Sequence, residues 1–192
     1  MNVINLGLLF RKAVASDADA IAAIVNSAYR GESSRKGWTT EADLLEGART
    51  NSTEINELIS ANGSAILLAE TATNTVVNPI PPATIIGSVH LSKTDDDGGC
   101  AGYFAMFAIN PDLQAGGIGK QMIREAELFV QREWNARKMV MEVIPVRNEL
   151  IAFYERRGYQ LTGKVKPFPV NPELWSPKAS ALQLAQMEKR LT

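Results

Sequence analysis

A chain of 192 residues with a formal net charge of −1 is sized for one domain, and its near-neutrality argues against a nucleic-acid binder or an acidic disordered tail. Apolar residues make up 45%, and one cysteine with one histidine excludes both an intramolecular disulfide and a Cys/His zinc set, so no metal is expected. No apolar run approaches the roughly 18 residues that span a bilayer, and the N-terminal stretch shows no basic leader or cleavage site. The expectation is therefore a single domain over 1–192, cytoplasmic, with neither nucleic acid nor membrane as partner.

In chain order, LLFRKAV (8–14) reads as a first strand. Ser16 or Asp17 then caps a helix in which Ile21, Ile24, Val25 and Ala28 recur at helical spacing. The polar stretch 30–43 ends that helix, and a second helical region is expected across 40–61. SAILLAE (64–70) and TIIGSVHLS (84–92) read as adjacent strands. Between them lies a surface excursion marked by Pro79, Pro81 and Pro82. DDDGG (95–99) turns into the strand CAGYFAMFAINP (100–111), which Pro111 stops. Beyond Gly117, the residues Ile118, Met122, Ala126, Phe129 and Val130 step by threes and fours, an amphipathic helix. KMVMEVIP (138–145) is apolar on both faces, hence a buried central strand. NELIAFYERRG (148–158) is a short helix closed by glycine. YQLTGKV and SALQLAQMEKRL are final strands joined by the Pro-rich segment 166–178. With no internal repeat, this order argues for one mixed α/β layer structure.

The stretch PDLQAGGIGK (111–120) sits between a strand and a helix. Its glycines at 116, 117 and 119 do not make G-x-G-x-x-G, and Gln114 and Gln121 break the P-loop pattern. What remains is a Gly-rich turn feeding a helix, with unpaired N–H groups and the positive end of the helix dipole facing outward. That suits an anion such as a diphosphate; a ligand-free tight turn is the alternative.

The spacing Q-x-x-G-x-G over Gln114, Gly117 and Gly119, after a strand ending AINP, resembles the acetyl-CoA motif of the GNAT superfamily of N-acetyltransferases. NELIAFYERRGY (148–159) is similar to the family's second signature, with Asn148, Tyr154 and Gly158-Tyr159 falling on it and Ala152 displaced by one. One helix and one strand separate the two, as in the family. The resemblance implies a single-domain α/β (α+β) fold: a central mixed, mostly antiparallel sheet of about seven strands flanked by helices and splayed between the fourth and fifth strands. It also implies acetyl-CoA as co-substrate.

Carried over position by position, the resemblance has the pantetheine arm pair with the backbone of Phe107, Ala108 and Ile109. The pyrophosphate would lie on the N–H groups of Gln114, Ala115, Gly116, Gly117, Ile118, Gly119 and Lys120. Tyr154 would protonate the leaving thiolate as a general acid. Asn148 would bond the pantetheine arm or a water, or serve as N-cap of its own helix. Glu142, a lone carboxylate in MVMEVIP, is out of pattern for a buried strand. It reads as the general base that takes the amine's proton, or else as a strand-end carboxylate in water or in a structural ion pair. His90 is the rival base, and a water relay needs neither.

In such enzymes the acceptor lies near 28–43 and 166–178, which brings in Tyr29, Arg30, Trp38 and Glu41 as substrate candidates, with His90 beside them. An aromatic wall with a carboxylate suits a cationic amine, and arginines suit a carboxylate-bearing one. The expected partner is a small-molecule primary amine, an amino acid or polyamine. An N-terminal peptide, or no acceptor at all in a non-catalytic acyl-CoA sensor, are the alternatives. Members of the family often pair, so a homodimer stays open.

Overall fold

The computed structural model describes residues 7–37, 40–72, 81, 83–96, 98–114, 116–169, 171–178 and 182–192. Trp38, Ala115 and most of the proline-marked excursion lie outside these described residues. Strand β1 (Leu8–Lys12) leads through a 3-10 turn (Ala15–Asp17) to helix α1 (Ala18–Tyr29). Asp17 occupies the cap position, but its carboxylate bonds Arg11 at 2.7 Å and the Val14 N–H at 2.8 Å rather than the first turn of α1. Next come α2 (Gly31–Ser34), β2 (Leu45–Gly47), α3 (Ser52–Ser60), β3 (Ser64–Thr71), β4 (Ile85–Asp96) and β5 (Gly99–Ile109). They are followed by α4 (Ile118–Trp134), β6 (Lys138–Val143), α5 (Asn148–Glu155), β7 (Gln160–Pro167), β8 (Trp175–Pro177) and β9 (Gln183–Arg190).

Seven strands form one sheet in the order β1-β3-β4-β5-β6-β9-β7, antiparallel throughout except for the parallel pair β5–β6. The mixed α/β fold with a mostly antiparallel seven-stranded sheet is thus the one expected. The helical region expected over 40–61 needs correction: only Ser52–Ser60 is helical, with Asn51 capping it through the Glu54 N–H at 2.9 Å. Its first half holds β2, which pairs with β8 inside the Pro-rich segment that had read as a plain connection. Gly47, at φ 94°, lies so close to the Leu174 carbonyl that a Cβ would sit 2.3 Å from it. That contact joins residues far apart in sequence, so no local pattern announces it.

Alternating side chains of the sheet feed two cores. On one face Ile66, Leu68, Met106 and Ala108 pack with Ile21, Val25 and Ile55 of α1 and α3. On the other, Leu67, Val89, Phe104 and Phe107 pack with Met122, Ala126 and Val130 of α4 and with Tyr154 of α5. Each large side chain buried along α4 contributes about 1.5–3 kcal/mol, more than the roughly 1 kcal/mol cost of a glycine at a helix end. Packing therefore holds α4 against the sheet and leaves its glycine-rich entrance available.

The site is positioned by a defect in β5. Its register with β4 runs to His90↔Ala105 and resumes at Ser88↔Ala108, and Met106 in the bulge takes φ 45°. A left-handed non-glycine residue costs on the order of 1–3 kcal/mol. Pairing with β6 ends at Phe104↔Met141, just before the bulge, although β5 continues to Ile109. The fourth and fifth strands of the sheet therefore part company from Ala105 onward, which is the expected splay.

Candidate active site

Two hollows open on the splay. One, of about 190 Å³, lies between the parted strands and is lined by Phe104–Phe107 of β5, Met141–Val143 of β6 and Tyr154 of α5. Tyr29, Glu41 and Trp175 add part of its wall. The other, of about 890 Å³, runs past Gln114, Gly117, Gly119 and Lys120 at the head of α4 to Phe153 of α5 and Arg157 just beyond its end.

The edge of β5 left by β6 is met by side chains. The Tyr29 hydroxyl donates to the Phe107 carbonyl at 2.9 Å, and the Gln114 amide donates to the Ile109 carbonyl at 3.1 Å. Gln114 thus ties the loop to the end of β5 through its side chain, a role its place in the motif did not reveal. Gly37 seats against the Gln114 amide, where a Cβ would come within 2.7 Å. Each carbonyl retains a second lone pair.

At the wide groove, Gly117 caps α4 in the left-handed region at φ 80°, and the first turn of a 17-residue helix points its N–H groups outward. A Cβ on Gly119 would lie 3.3 Å from the Phe107 ring, so the absence of a side chain lets the helix end approach the splay. Lys36, Lys120, Arg156 and Arg157 line the groove with one lining carboxylate, Glu149, and Lys36 is paired with Asp112 at 3.3 Å. The Arg157 guanidinium stacks 3.3 Å from the centroid of Phe153. In a chain of charge −1, this is a local cationic field suited to phosphate groups.

In the inner cavity, Tyr154 is 5% exposed, and its hydroxyl has no hydrogen-bond partner among the described residues. Burial, then the neighbouring Tyr29, pushes its phenol well above the ordinary value, so it carries its proton at any working pH. Tyr29 is pushed up to about 12 by burial and then by the Glu41 carboxylate. Glu142 faces the same cavity with both oxygens engaged: Oε2 accepts from the Tyr103 hydroxyl at 2.9 Å and Oε1 meets Lys166 at 2.7 Å. Burial, then Glu142, raises the Tyr103 phenol in turn. The neighbours of Glu142 in sequence are apolar, but its neighbours in space are not.

The structure gathers Tyr29, Arg30, Glu41, Phe107, Glu142 and Tyr154 around the inner cavity. Gln114, Gly117, Ile118, Gly119, Lys120 and Ile109 line the groove, while Ala108 is fully buried beside them in β5. Gly116 is in the turn that precedes α4, near the Leu113 carbonyl. Two candidates stand apart. Asn148 is exposed at the first residue of α5, lines neither hollow, and is preceded by Arg147 at the cap position. His90 lines neither hollow; its Nε2 lies 3.0 Å from the Ser64 hydroxyl, and burial pulls its pKa down to about 4. Arg49, Tyr103, Arg147 and Trp175 line the cavity and were not singled out by sequence. No local pattern marks Arg49 or Arg147, whereas Tyr103 and Glu142 face each other only because β5 and β6 are parallel neighbours.

A family model described as "Acetyltransferase (GNAT) domain" matches residues 62–161, which span β3 to the start of β7 and so the parted strands β5 and β6 with helices α4 and α5. The chain belongs to the GNAT acetyltransferases. It is accordingly an acetyl-CoA-dependent acyltransferase by family. Solved structures with the same fold include spermidine N-acetyltransferase from Vibrio cholerae in complex with CoA and spermine, at 19% identity over 97% of each chain and TM-score 0.66. An N-acetyltransferase from Staphylococcus aureus Mu50 aligns at 10% identity over 96% of this chain and 97% of its own, TM-score 0.66. A GNAT-family acetyltransferase from Streptococcus pneumoniae aligns at 17% identity over 96% of this chain and 99% of its own, TM-score 0.60. No curated protein sequence matches the chain. At these identities the likeness is one of fold, and the CoA and spermine belong to the Vibrio protein. No helix among the described residues is long and apolar enough to cross a membrane, and among them no cluster of His, Cys, Asp and Glu has the makings of a metal site.

Proposed function

We propose that this GNAT enzyme transfers the acetyl group of acetyl-CoA to the primary amine of a small molecule bound in the inner cavity. The observation that carries the reading is Tyr154: a buried hydroxyl with no hydrogen-bond partner among the described residues, its pKa raised by burial, facing a cavity in the splay.

The residues present fit a CoA donor. The groove offers helix N–H groups, a glycine where a Cβ would crowd Phe107, and four cationic side chains for a ligand rich in phosphate. Backbone of Phe107, Ala108 and Ile109 lies along the path from groove to cavity, suited to holding an extended arm. The donor supplies an acetyl group activated as a thioester. The Tyr154 hydroxyl would hold the proton that a departing thiolate needs. The Glu142 carboxylate would take the proton that an ammonium must lose before its nitrogen can attack, with Tyr103 and Lys166 fixing the orientation of the carboxylate. Backbone N–H groups of β5 beyond Phe104, where its pairing with β6 ends, are suited to stabilising negative charge that develops on the thioester oxygen.

A volume of about 190 Å³ favours a compact acceptor over a peptide terminus. The test has two readings. Acetyl-CoA at 100 times its Kd should raise the folding stability by about 2.7 kcal/mol, seen as an increase in Tm. A panel of amino acids, polyamines, arylamines and short peptides should then release free CoA thiol with at least one small amine. No thermal shift with acetyl-CoA overturns the acetyl-transfer reading; a shift without thiol release from any amine makes the protein a binder instead.

A further inference from the structure

The charge balance of the inner cavity bears on which amine enters it, and the argument rests on the acetyl-transfer reading above. The cavity and its rim bring together four cationic side chains, Arg30, Arg49, Arg147 and Lys166, and two carboxylates, Glu41 and Glu142. Both carboxylates are committed. Glu41 meets Arg30 at 2.6 Å, in a pair whose side chains are 7% and 11% exposed, and Arg147 at 3.9 Å. Glu142 meets Lys166 and the Tyr103 hydroxyl.

Arg49 is different. Its backbone N–H is anchored by the Asn26 side chain at 2.6 Å, which fixes where the residue leaves the segment between β2 and α3. Its guanidinium reaches the cavity wall and lies 5.8 Å over the Tyr29 ring, and it has no carboxylate partner among the described residues. A half-buried guanidinium with open donors is the group best shaped to bind a carboxylate by two parallel hydrogen bonds. A polyamine would bring further positive charge into a hollow whose carboxylates are already paired, and would have to break a buried or hydrogen-bonded ion pair to be received. A compact amine that carries its own negative charge meets no such obstacle.

We propose that the acceptor is a small amine bearing a carboxylate, an amino acid in the broad sense, and that Arg49 is the specificity-determining residue that receives this carboxylate.

The experiment compares amines matched in shape. CoA release is measured for each protein amino acid, for the amide and the decarboxylated amine derived from each active one, and for spermidine. The best amino acid is expected to exceed its amide, its decarboxylated counterpart and spermidine by tenfold or more in kcat/KM. Arg49→Gln should lower kcat/KM for the amino acid at least tenfold more than for the decarboxylated amine, through KM, and Arg49→Lys should restore part of the difference. The Tm increase with acetyl-CoA, measured on each variant, shows that the fold and the donor groove are intact. Preference for spermidine or for the decarboxylated amine overturns the inference while leaving acetyl transfer standing. Equal losses on both substrates in Arg49→Gln overturn the role of Arg49. Absence of any acetyl-CoA shift in the unmodified protein overturns the acetyl-transfer reading and the inference with it.

Discussion

Phe153 and Tyr154 are consecutive residues of α5, with ring centroids 5.4 Å apart, yet they line different hollows. Phe153 faces the cationic groove at the head of α4, and Tyr154 faces the cavity between the parted strands. One short helix thus stands between the proposed donor site and the proposed acceptor site. In the proposed reading, the hydroxyl on its inner side supplies the proton that the leaving thiolate takes up.

Replacing that hydroxyl isolates its chemistry. Tyr154→Phe keeps the ring contacts with Phe104 and Tyr159 and deletes an oxygen that has no hydrogen-bond partner among the described residues. The expected outcome is a fall in kcat of about 100-fold or more with Tm and the acetyl-CoA shift retained. A turnover rate unchanged across pH 6–9, read as CoA thiol release, removes Tyr154 from the mechanism.

Glu142 has a structural role and a proposed chemical one, and two variants separate them. Glu142→Gln retains an acceptor for Tyr103 and is expected to lower kcat by about 100-fold or more if its carboxylate takes the amine's proton. Lys166→Met breaks the same ion pair from its half-exposed end and should cost at most about 1 kcal/mol of stability with a much smaller rate change. Equal rate losses in the two variants would assign Glu142 to the ion pair alone.

The single histidine makes the stability of the protein pH-dependent. His90 has a folded pKa of about 4 against an ordinary value of 6.5, so between these the unfolded chain binds the extra proton. Stability from this group is fully present above pH 6.5 and is lost as pH falls toward 4, by up to about 3 kcal/mol. His90→Gln should flatten the decline in urea-unfolding free energy across that window, and an unchanged slope would contradict it. The same variant should leave turnover within about threefold, since neither hollow includes the imidazole.

Gly117 offers a test of the loop itself. It takes φ 80° with open space where a Cβ would project, so Gly117→Ala introduces strain and no clash. The expected cost is about 1–2 kcal/mol, a Tm decrease of roughly 2–8 °C for a chain of this size. No decrease would mean that the turn relaxes without its left-handed residue.

Much of this protein was determined by local sequence. Short apolar runs mark β1 and β3 to β6, and a 3.6-residue period marks α1 and α4, because these elements bury side chains in the two cores, β3 and β6 on both faces; the glycines before α4 mark a turn that requires a left-handed residue. The spacing of Gln114, Gly117 and Gly119 with Asn148 and Tyr154 carries the family because both segments serve one strand splay. Other features exist only through pairing of distant segments. β2 and β8 are too short to show a period, and neither forms a ribbon without the other. Glu142 stands among apolar neighbours in the chain, but strand pairing puts Tyr103 beside it and β7 brings Lys166. Arg30 and Glu41 were candidates for opposite kinds of ligand until folding paired them with each other. That pairing leaves Arg49, unremarkable in sequence, as the cavity's cation without a carboxylate among the described residues. A residue's chemical type is written in the chain, whereas its partners, and hence the charge it can offer a ligand, are decided by which distant side chains the fold sets against it.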